Sequence, residues 1–319
     1  MQVKSIDFLL TFKCPAKCKH CSYKAGPERI GYMKLKDAKR YLKELKDAHP
    51  IQSLTVHGGE PFLYFERLKQ IFREAKKLEI PRRGVITNSY WAKTKAIAKR
   101  KLAELKKAGL TRITLSVDGF HQEYIPVQNV KNSVEAAVNV GFEKIWVDSY
   151  FLTSNSDSDN PYDISTKKVL ENLDILDNVE FSEYQPRFVG RAAELAKYVK
   201  PKAEVLNGKC QLPFWIGGDL RNPETIEIDF EGNVMLCPGI SIGNARKQSL
   251  TQVLHNYDLL EHPILSVIEK EGPIGLLRIA TRKGFKQKQK YVDKCHLCYI
   301  TRRFLRRYYA QYLTPADCY

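Results

Sequence analysis

The chain of 319 residues has no apolar stretch of about 18 residues, the length a helix needs to cross a bilayer core. It also lacks a secretory signal: the first apolar run, Ile6 to Phe12, is short, contains Asp7 and is followed by no small-residue cleavage site. Together these absences lead us to expect a cytoplasmic protein with no membrane association. Acidic residues are in short supply, 36 Asp and Glu against 52 Lys and Arg, for a net charge of +16. That balance favours acidic partners such as nucleic acid, an acidic peptide or an acidic electron-transfer protein. A Lys-rich thermophilic surface would give the same sum. Core-forming residues are not scarce. At 43% hydrophobic, the chain can bury one large α/β domain with a small appendage, or two domains.

Disulfides are unexpected in a reducing compartment, so the eight cysteines read first as metal ligands. Three of them lie in Cys14-Pro-Ala-Lys-Cys18-Lys-His-Cys21, directly after the first apolar run. No fourth cysteine lies nearby, whereas a structural zinc knot takes four ligands, usually as two pairs. Three thiolates are one short of the complement of a cubane iron–sulfur cluster. The fourth iron would be open to a ligand, and an open position is what separates catalytic from structural metal sites.

From Ile6 to about Gln185, short apolar runs alternate with amphipathic charged segments, the βα rhythm of a parallel sheet. Strands are expected at Ile6 to Phe12, Ser53 to Val56, Gly84 to Thr87, Arg112 to Val117, Lys144 to Leu152 and Val179 to Tyr184. Helices are expected at Leu35 to Ala48, Phe65 to Leu78, Thr94 to Ala108, Val127 to Val140 and Thr166 to Leu176. Six such strands make a partial (β/α)6 barrel of the TIM type, with its active groups at the C-terminal strand ends. Unusual residues fall there: His57-Gly-Gly-Glu-Pro61 after the second strand, Asn88 with Tyr90 and Trp91 after the third, and Ser116-Val-Asp118 with His121 after the fourth. The polar stretch Ser154 to Asp163 lacks the glycine and final glutamate of an EF-hand and reads as a solvated loop.

Cys-x3-Cys-x2-Cys after the first strand, with Gly-Gly-Glu-Pro after the second, resembles the radical S-adenosylmethionine (SAM) superfamily. The resemblance implies that Cys14, Cys18 and Cys21 hold a [4Fe-4S] cluster whose open iron chelates SAM, and that reductive cleavage of SAM gives a 5′-deoxyadenosyl radical. It further implies that Gly58, Gly59, Glu60 and Pro61 receive the SAM ammonium, and that Asn88, Ser116 and Asp118 contact its carboxylate and ribose. Strand-end capping is the ordinary alternative for those three. His20 would pack near the adenine, with a fourth metal ligand or a passive polar residue as alternatives. Arg191, in Gly190-Arg-Ala192, would face the SAM carboxylate or brace the loop. His121 is a candidate catalytic proton carrier or substrate contact, with a solvated loop histidine as its alternative.

Beyond Lys200 the rhythm changes. Ile226 to Phe230 and Val234 to Cys237 flank Glu231-Gly-Asn233 as a β-hairpin. Cys210, Cys237 and the pair Cys295-His-Leu-Cys298 resemble the auxiliary-cluster pattern of SPASM/twitch extensions. That implies a second iron–sulfur cluster of the [4Fe-4S] type, with tetrahedral zinc as the structural alternative. Residues 1–198 are thus expected to form the barrel, and 199–319 a small twitch-like iron–sulfur cap with a C-terminal helix. Amphipathic helices are expected near Leu250 to Leu260 and Ile264 to Ala280. Basic runs at Thr281 to Lys290 and from Arg302 onward could grip an acidic peptide, a phosphate backbone or a flavodoxin, or be solvated helix faces. Cys318 has no evident metal partner. It is either incidental or a catalytic hydrogen-atom donor, as thiols are in some peptide epimerases of the superfamily.

The order of elements, including Glu271-Gly-Pro273, resembles ribosomal-peptide maturases and their epimerase branch. It departs from that branch where Cys237 is followed by Pro238 instead of a second cysteine. The expected activity is hydrogen abstraction from a peptide, leading to oxidation, a cross-link or epimerisation, with electrons from a flavodoxin or ferredoxin. Modification of a small molecule or RNA is the second enzymatic reading, and a non-catalytic iron–sulfur carrier or redox sensor is the reading from another class. No separate peptide-recognition segment is seen before the barrel, so peptide capture is expected to use the basic cap or another chain.

Overall fold

A computed structural model describes residues 1–153, 160–173, 179–201, 206–210, 215–287 and 290–319. The first strand, β1 (Ser5–Thr11), is buried on both faces, as a strand inside a parallel sheet must be. Then follow α1 (Leu35–Ala48), β2 (Ser53–Gly58), α2 (Phe65–Lys77), β3 (Arg82–Thr87), α3 (Lys95–Ala108), β4 (Arg112–Ser116), the short α4 (Gly119–Gln122), α5 (Val127–Val140), β5 (Lys144–Tyr150), α6 (Pro161–Glu171) and β6 (Glu180–Tyr184). All six strands pair in parallel, giving the α/β partial barrel expected from the sequence. Local chemistry sets the ends of the helices. In α3 the Thr94 side chain accepts from the Ile97 N–H, and Gly109 closes the C-terminus in the left-handed region.

The sheet does not stop at the sixth strand. It has nine, in the order β6-β5-β4-β3-β2-β1-β7-β8-β9. Here β7 (Thr225–Asp229) lies parallel to β1, and β8 (Asn233–Cys237) and β9 (Ile240–Asn244) extend the edge in antiparallel pairs. The hairpin expected in the appendage therefore forms as β7 and β8, and it continues the barrel sheet beside β1. One hydrophobic core runs from Val3 through this junction to Cys318. A smaller cluster gathers Cys14, Ala16 and Cys18 with Phe120, Leu152 and Phe188 around the cysteine loop.

Several expected boundaries shift. The helix placed at Thr166 to Leu176 begins earlier, at Pro161, because Asn160 caps it through bonds from the Tyr162 and Asp163 N–H groups. Asn160 to Asp163 is thus helix start and not solvated loop. Asp163 is fully buried and accepts from the Thr153 N–H and hydroxyl. The rest of that polar loop, 154–159, lies outside the described residues, as do 174–178 and the end of the basic run at 288–289.

Downstream, α7 (Leu250–His255) is shorter than expected, and α8 (Leu265–Arg282) breaks at Gly272-Pro273. Gly272 has φ 67°, and a Cβ there would stand 2.1 Å from the Gly208 carbonyl oxygen, so the break lets two backbones touch. The last helix, α9 (Lys294–Leu305), starts at an Asp293 cap and carries Cys295 and Cys298 in its first turn. Its basic run is not uniformly a solvated or peptide-facing surface. Arg302 is 1% exposed and donates to the Pro238 carbonyl and the Tyr319 hydroxyl. Among the described residues, no helix is long and apolar enough to cross a membrane.

Candidate active site

Side chains alternate across a strand, so the residues facing the barrel lumen are every second one. In β1, β2 and β7 these are Ser5 and Asp7, Ser53, Thr55 and His57, and Thr225 and Glu227, with the apolar residues between them packed outward. A TIM-type barrel is normally filled by branched apolar side chains. Here a lumen of about 460 Å³, lined by both polar and apolar surface, opens and runs from the strand starts to the loop of Cys14, Cys18 and Cys21.

The cysteine loop lies over this lumen because β1 ends in it. Arg191 ties it down, donating from Nε to the Cys18 carbonyl at 2.9 Å and from Nη2 to the Ala25 carbonyl. Gly190 approaches the Ser22 carbonyl too closely for any side chain, a Cβ falling 2.3 Å from that oxygen. Arg191 therefore braces the loop while also lining the lumen. Cys14 and Cys18 are buried, and Cys21 is half-buried. Burial pushes the Cys14 and Cys18 thiols well above their usual range, and the nearby Glu60 and Asp118 charges, respectively, add to it. Such thiols are poor free nucleophiles, but a bound cation would deprotonate them outright. The Asn88 Nδ2 lies 3.4 Å from the Cys14 Sγ.

The Gly-Gly-Glu-Pro segment is wedged under this loop. A Cβ on Gly58 would lie 2.4 Å from the Thr11 carbonyl oxygen, and one on Gly59 2.1 Å from that of Lys13. The glycines are required by the approach of β2's end to the base of the cysteine loop, and both still line the lumen. Glu60 is fully buried, and its carboxylate accepts from the Phe62 and Asn88 N–H groups and the Thr87 hydroxyl. Desolvation raises its pKa to about 7 despite those bonds. Pro61 opens the 3-10 turn that Glu60 caps.

His20 is buried against Phe120, His121 and Tyr150, with ring centroids 4.7, 4.8 and 4.9 Å away. Desolvation lowers its pKa to about 3, so the imidazole is neutral, and its Nδ1 has no hydrogen-bond partner. Asp118 caps α4, accepting from the Phe120 and His121 N–H groups, and its other oxygen lies 2.9 Å from the His121 Nδ1. Asn88, Ser116 and His121 line the lumen.

A second group of thiols lies beyond the other side of β1. These are Cys210, Cys237 at the end of β8, and Cys295 and Cys298 on α9; burial first, and then neighbouring thiols that include Cys237, raise the pKa values of Cys210, Cys295 and Cys298. Burial and those neighbours push Cys210 up to about 12. Among the described residues, no three cysteine sulfurs all lie within 4.8 Å of one another. Thiolates at ~2.3 Å on tetrahedral zinc would be about 3.8 Å apart. Cys318 folds back from the chain's end to a fully buried position beside Asp229, Arg302 and Glu227.

The superfamily model described as Radical SAM matches residues 8–160. That stretch contains the cysteine loop, Gly58 to Pro61, Asn88, Ser116 and Asp118. Residues 8–160, just under half of the chain, are thus similar to the radical SAM superfamily. Among curated relatives, the chain is 24% identical over 135 residues to YydG of Bacillus subtilis (strain 168), named for peptide biosynthesis, covering 42% of each chain. It is 32% identical over 151 residues to a GTP 3′,8-cyclase of Vibrio parahaemolyticus serotype O3:K6 (strain RIMD 2210633), covering 43% of this chain and 42% of that one. The chain spans about half the length, or less, of these relatives. The solved structure of native anSMEcpe with bound AdoMet and Cp18Cys peptide superposes with a TM-score of 0.52 at 14% identity, covering 97% of both chains. That likeness shows a shared fold.

Sequence reading missed the residues below the cysteine loop: Asp7, His57 and Glu227, with Tyr23, Arg187 and Trp215 beside them. The signal was available. Polar residues alternate with apolar ones in Ser5 to Phe8, Ser53 to His57 and Thr225 to Asp229, a period-two pattern of strands facing a wet interior.

Proposed function

We propose that the protein is a radical SAM enzyme that modifies a peptide. The observation that carries this reading is the convergence of three cation-ready thiols, a neutral aromatic-caged His20 and the polar side chains of Asn88, Ser116 and His121 on one enterable lumen. The donor set fits the implied group: Cys14, Cys18 and Cys21 would hold a [4Fe-4S] cluster at three corners. When bound, cluster and SAM together supply a 5′-deoxyadenosyl radical. The chain's own residues do the rest. His20 offers a stacking face, Asn88 and Ser116 offer hydrogen bonds, and Gly58 and Gly59 present backbone with no side chain in the way. Glu60 holds the ends of β2 and β3 together, and its bonds leave it acting through Asn88 and Thr87. Asp118 likewise fixes the ring of His121, the candidate proton carrier.

The peptide substrate is supported by the relative named for peptide biosynthesis and by the shared fold of a structure solved with a bound peptide. Cys210, Cys237, Cys295 and Cys298 form the candidate auxiliary-cluster site of a twitch-like cap over residues 199–319. Cys318 remains a candidate hydrogen donor by its burial next to Glu227. A second reading, modification of a nucleotide, is favoured by the relatives named GTP 3′,8-cyclase. Reduced, reconstituted protein with SAM should release 5′-deoxyadenosine. Mass spectrometry with peptides encoded beside this gene, and with GTP, separates the two readings. Turnover of GTP alone would overturn the peptide assignment.

A further inference from the structure

Below the cysteine loop, the lumen holds two buried carboxyl groups side by side. Asp7 and Glu227 sit directly opposite each other on the parallel strands β1 and β7. With His57 they bring one donor atom each to within 4.8 Å of one another. All three line the lumen. Glu227 is 1% exposed, and its Oε1 accepts from the Tyr23 hydroxyl at 2.8 Å and the Trp215 Nε1 at 3.2 Å. Its Oε2 is buried with no hydrogen-bond partner. Arg187 stacks over Trp215, 5.2 Å from the ring centroid, and its charge acts on Glu227 without offsetting burial. Two facing carboxyl groups, one with an orphaned oxygen, are costly to bury in ionised form, and burial accordingly raises both pKa values; a cation would complete them instead.

We infer that Asp7, His57 and Glu227 form a subsite for a primary ammonium of the substrate, such as a lysine-type side chain or an amino terminus. Acceptors around an ammonium at ~2.8 Å lie about 4.6 Å apart, whereas ligands around a first-row ion at ~2.1 Å lie about 3.0–3.4 Å apart. The His57 Nε2 and Asp7 Oδ2 are 3.9 Å apart, between the two spacings and within reach of the N–H groups of one ammonium. Neutral His57 accepts, one ionised carboxylate balances the ammonium while the other carboxyl group stays protonated, and the hydroxyls of Ser5, Ser53, Thr55 and Thr225 line the space around them. Four residues of β1, roughly 13 Å of strand, separate Asp7 from Thr11. A substrate anchored at Asp7 would thus extend toward the cysteine loop. This rests on the reading that the lumen receives the substrate, and it deepens that reading by naming the substrate's charged group.

The test is calorimetric titration of the full chain with n-pentylammonium and with n-pentanol, alongside a 5′-deoxyadenosine assay. The wild type should bind the amine saturably and the alcohol at least tenfold more weakly. Glu227→Gln and Asp7→Asn should each weaken amine binding at least tenfold while circular dichroism stays unchanged. If a variant unfolds, the other is read. If both do, fluorescence of the wild type, through Trp215, should respond to the amine and not to the alcohol. Equal binding of amine and alcohol, undiminished amine binding in Glu227→Gln, or saturable Mn²⁺ or Zn²⁺ binding in place of amine binding would overturn the inference. Release of 5′-deoxyadenosine without amine binding defeats this subsite alone. Amine binding without SAM cleavage defeats the enzymatic reading alone.

Discussion

The two groups of thiols are built in opposite ways. Cys14, Cys18 and Cys21 occupy eight residues of one loop, held by β1, Arg191 and the glycines of β2's end. Cys210, Cys237, Cys295 and Cys298 come from three segments spread over 89 residues and meet only because β8 joins the sheet and α9 packs beside it. The first group is a local structure with tertiary braces, and the second is wholly a tertiary product. Removing a thiol from the first should cost chemistry, and removing one from the second should cost structure as well.

The largest expected effect breaks the comparison most sharply. Cys18→Ala should reduce 5′-deoxyadenosine formation more than 100-fold with little change in the melting temperature of the protein without clusters. Cys298→Ala, on a fully buried helix face, should lower solubility and melting temperature when clusters are reconstituted. Equal stability losses in the two variants would erase the distinction.

Next is Gly59→Ala. The added methyl would meet the Lys13 carbonyl at 2.1 Å, so β2's end must move away from the cysteine loop. Denaturant unfolding should show a loss of about 3 kcal/mol or more, with weakened SAM cleavage. Arg302→Met tests the other group. It removes the donor to the Pro238 carbonyl and the Tyr319 hydroxyl, and losing hydrogen bonds from a buried charged group costs ~1.5–3 kcal/mol. SAM cleavage at the first cysteine group should persist in whatever protein folds.

How much of this was legible in the sequence follows the same division. The cysteine loop, Gly58 to Pro61 and the six βα units could be read because each is a local pattern, with α1 and α5 matching residue for residue. The pairing of β7 with β1 could not, since a hairpin's own sequence does not say which sheet edge it joins. For the same reason the lumen carboxylates were missed: Asp7 and Glu227 are 220 residues apart and become neighbours only through that pairing. Arg302 looked like part of a surface charge run, because a basic run shows its charge and not which face α9 buries.

The smallest effect compares the two buried glutamates. Glu60 near the cysteine loop and Glu227 beside Asp7 both have pKa values raised by desolvation, from 4.5 to about 7. Because the folded state then holds more protons than the unfolded one, stability should fall as pH rises from about 4.5 to 7, by up to ~1.4 kcal/mol per pH unit for each group. Glu227→Gln and Glu60→Gln should each flatten that slope in urea titrations across this range. Glu60→Gln should also weaken the join of β2 to β3, whereas Glu227→Gln should leave it intact.

The central claim is that the loop of Cys14, Cys18 and Cys21 is the seat of the chemistry. It is tested most directly by incubating anaerobically reconstituted, dithionite-reduced protein with SAM and measuring 5′-deoxyadenosine. The account predicts its release by the wild type and by Cys318→Ala, and none by the triple Cys14→Ala, Cys18→Ala, Cys21→Ala variant. Failure of the fully reconstituted wild type to release it, or undiminished release by the triple variant, would contradict the account.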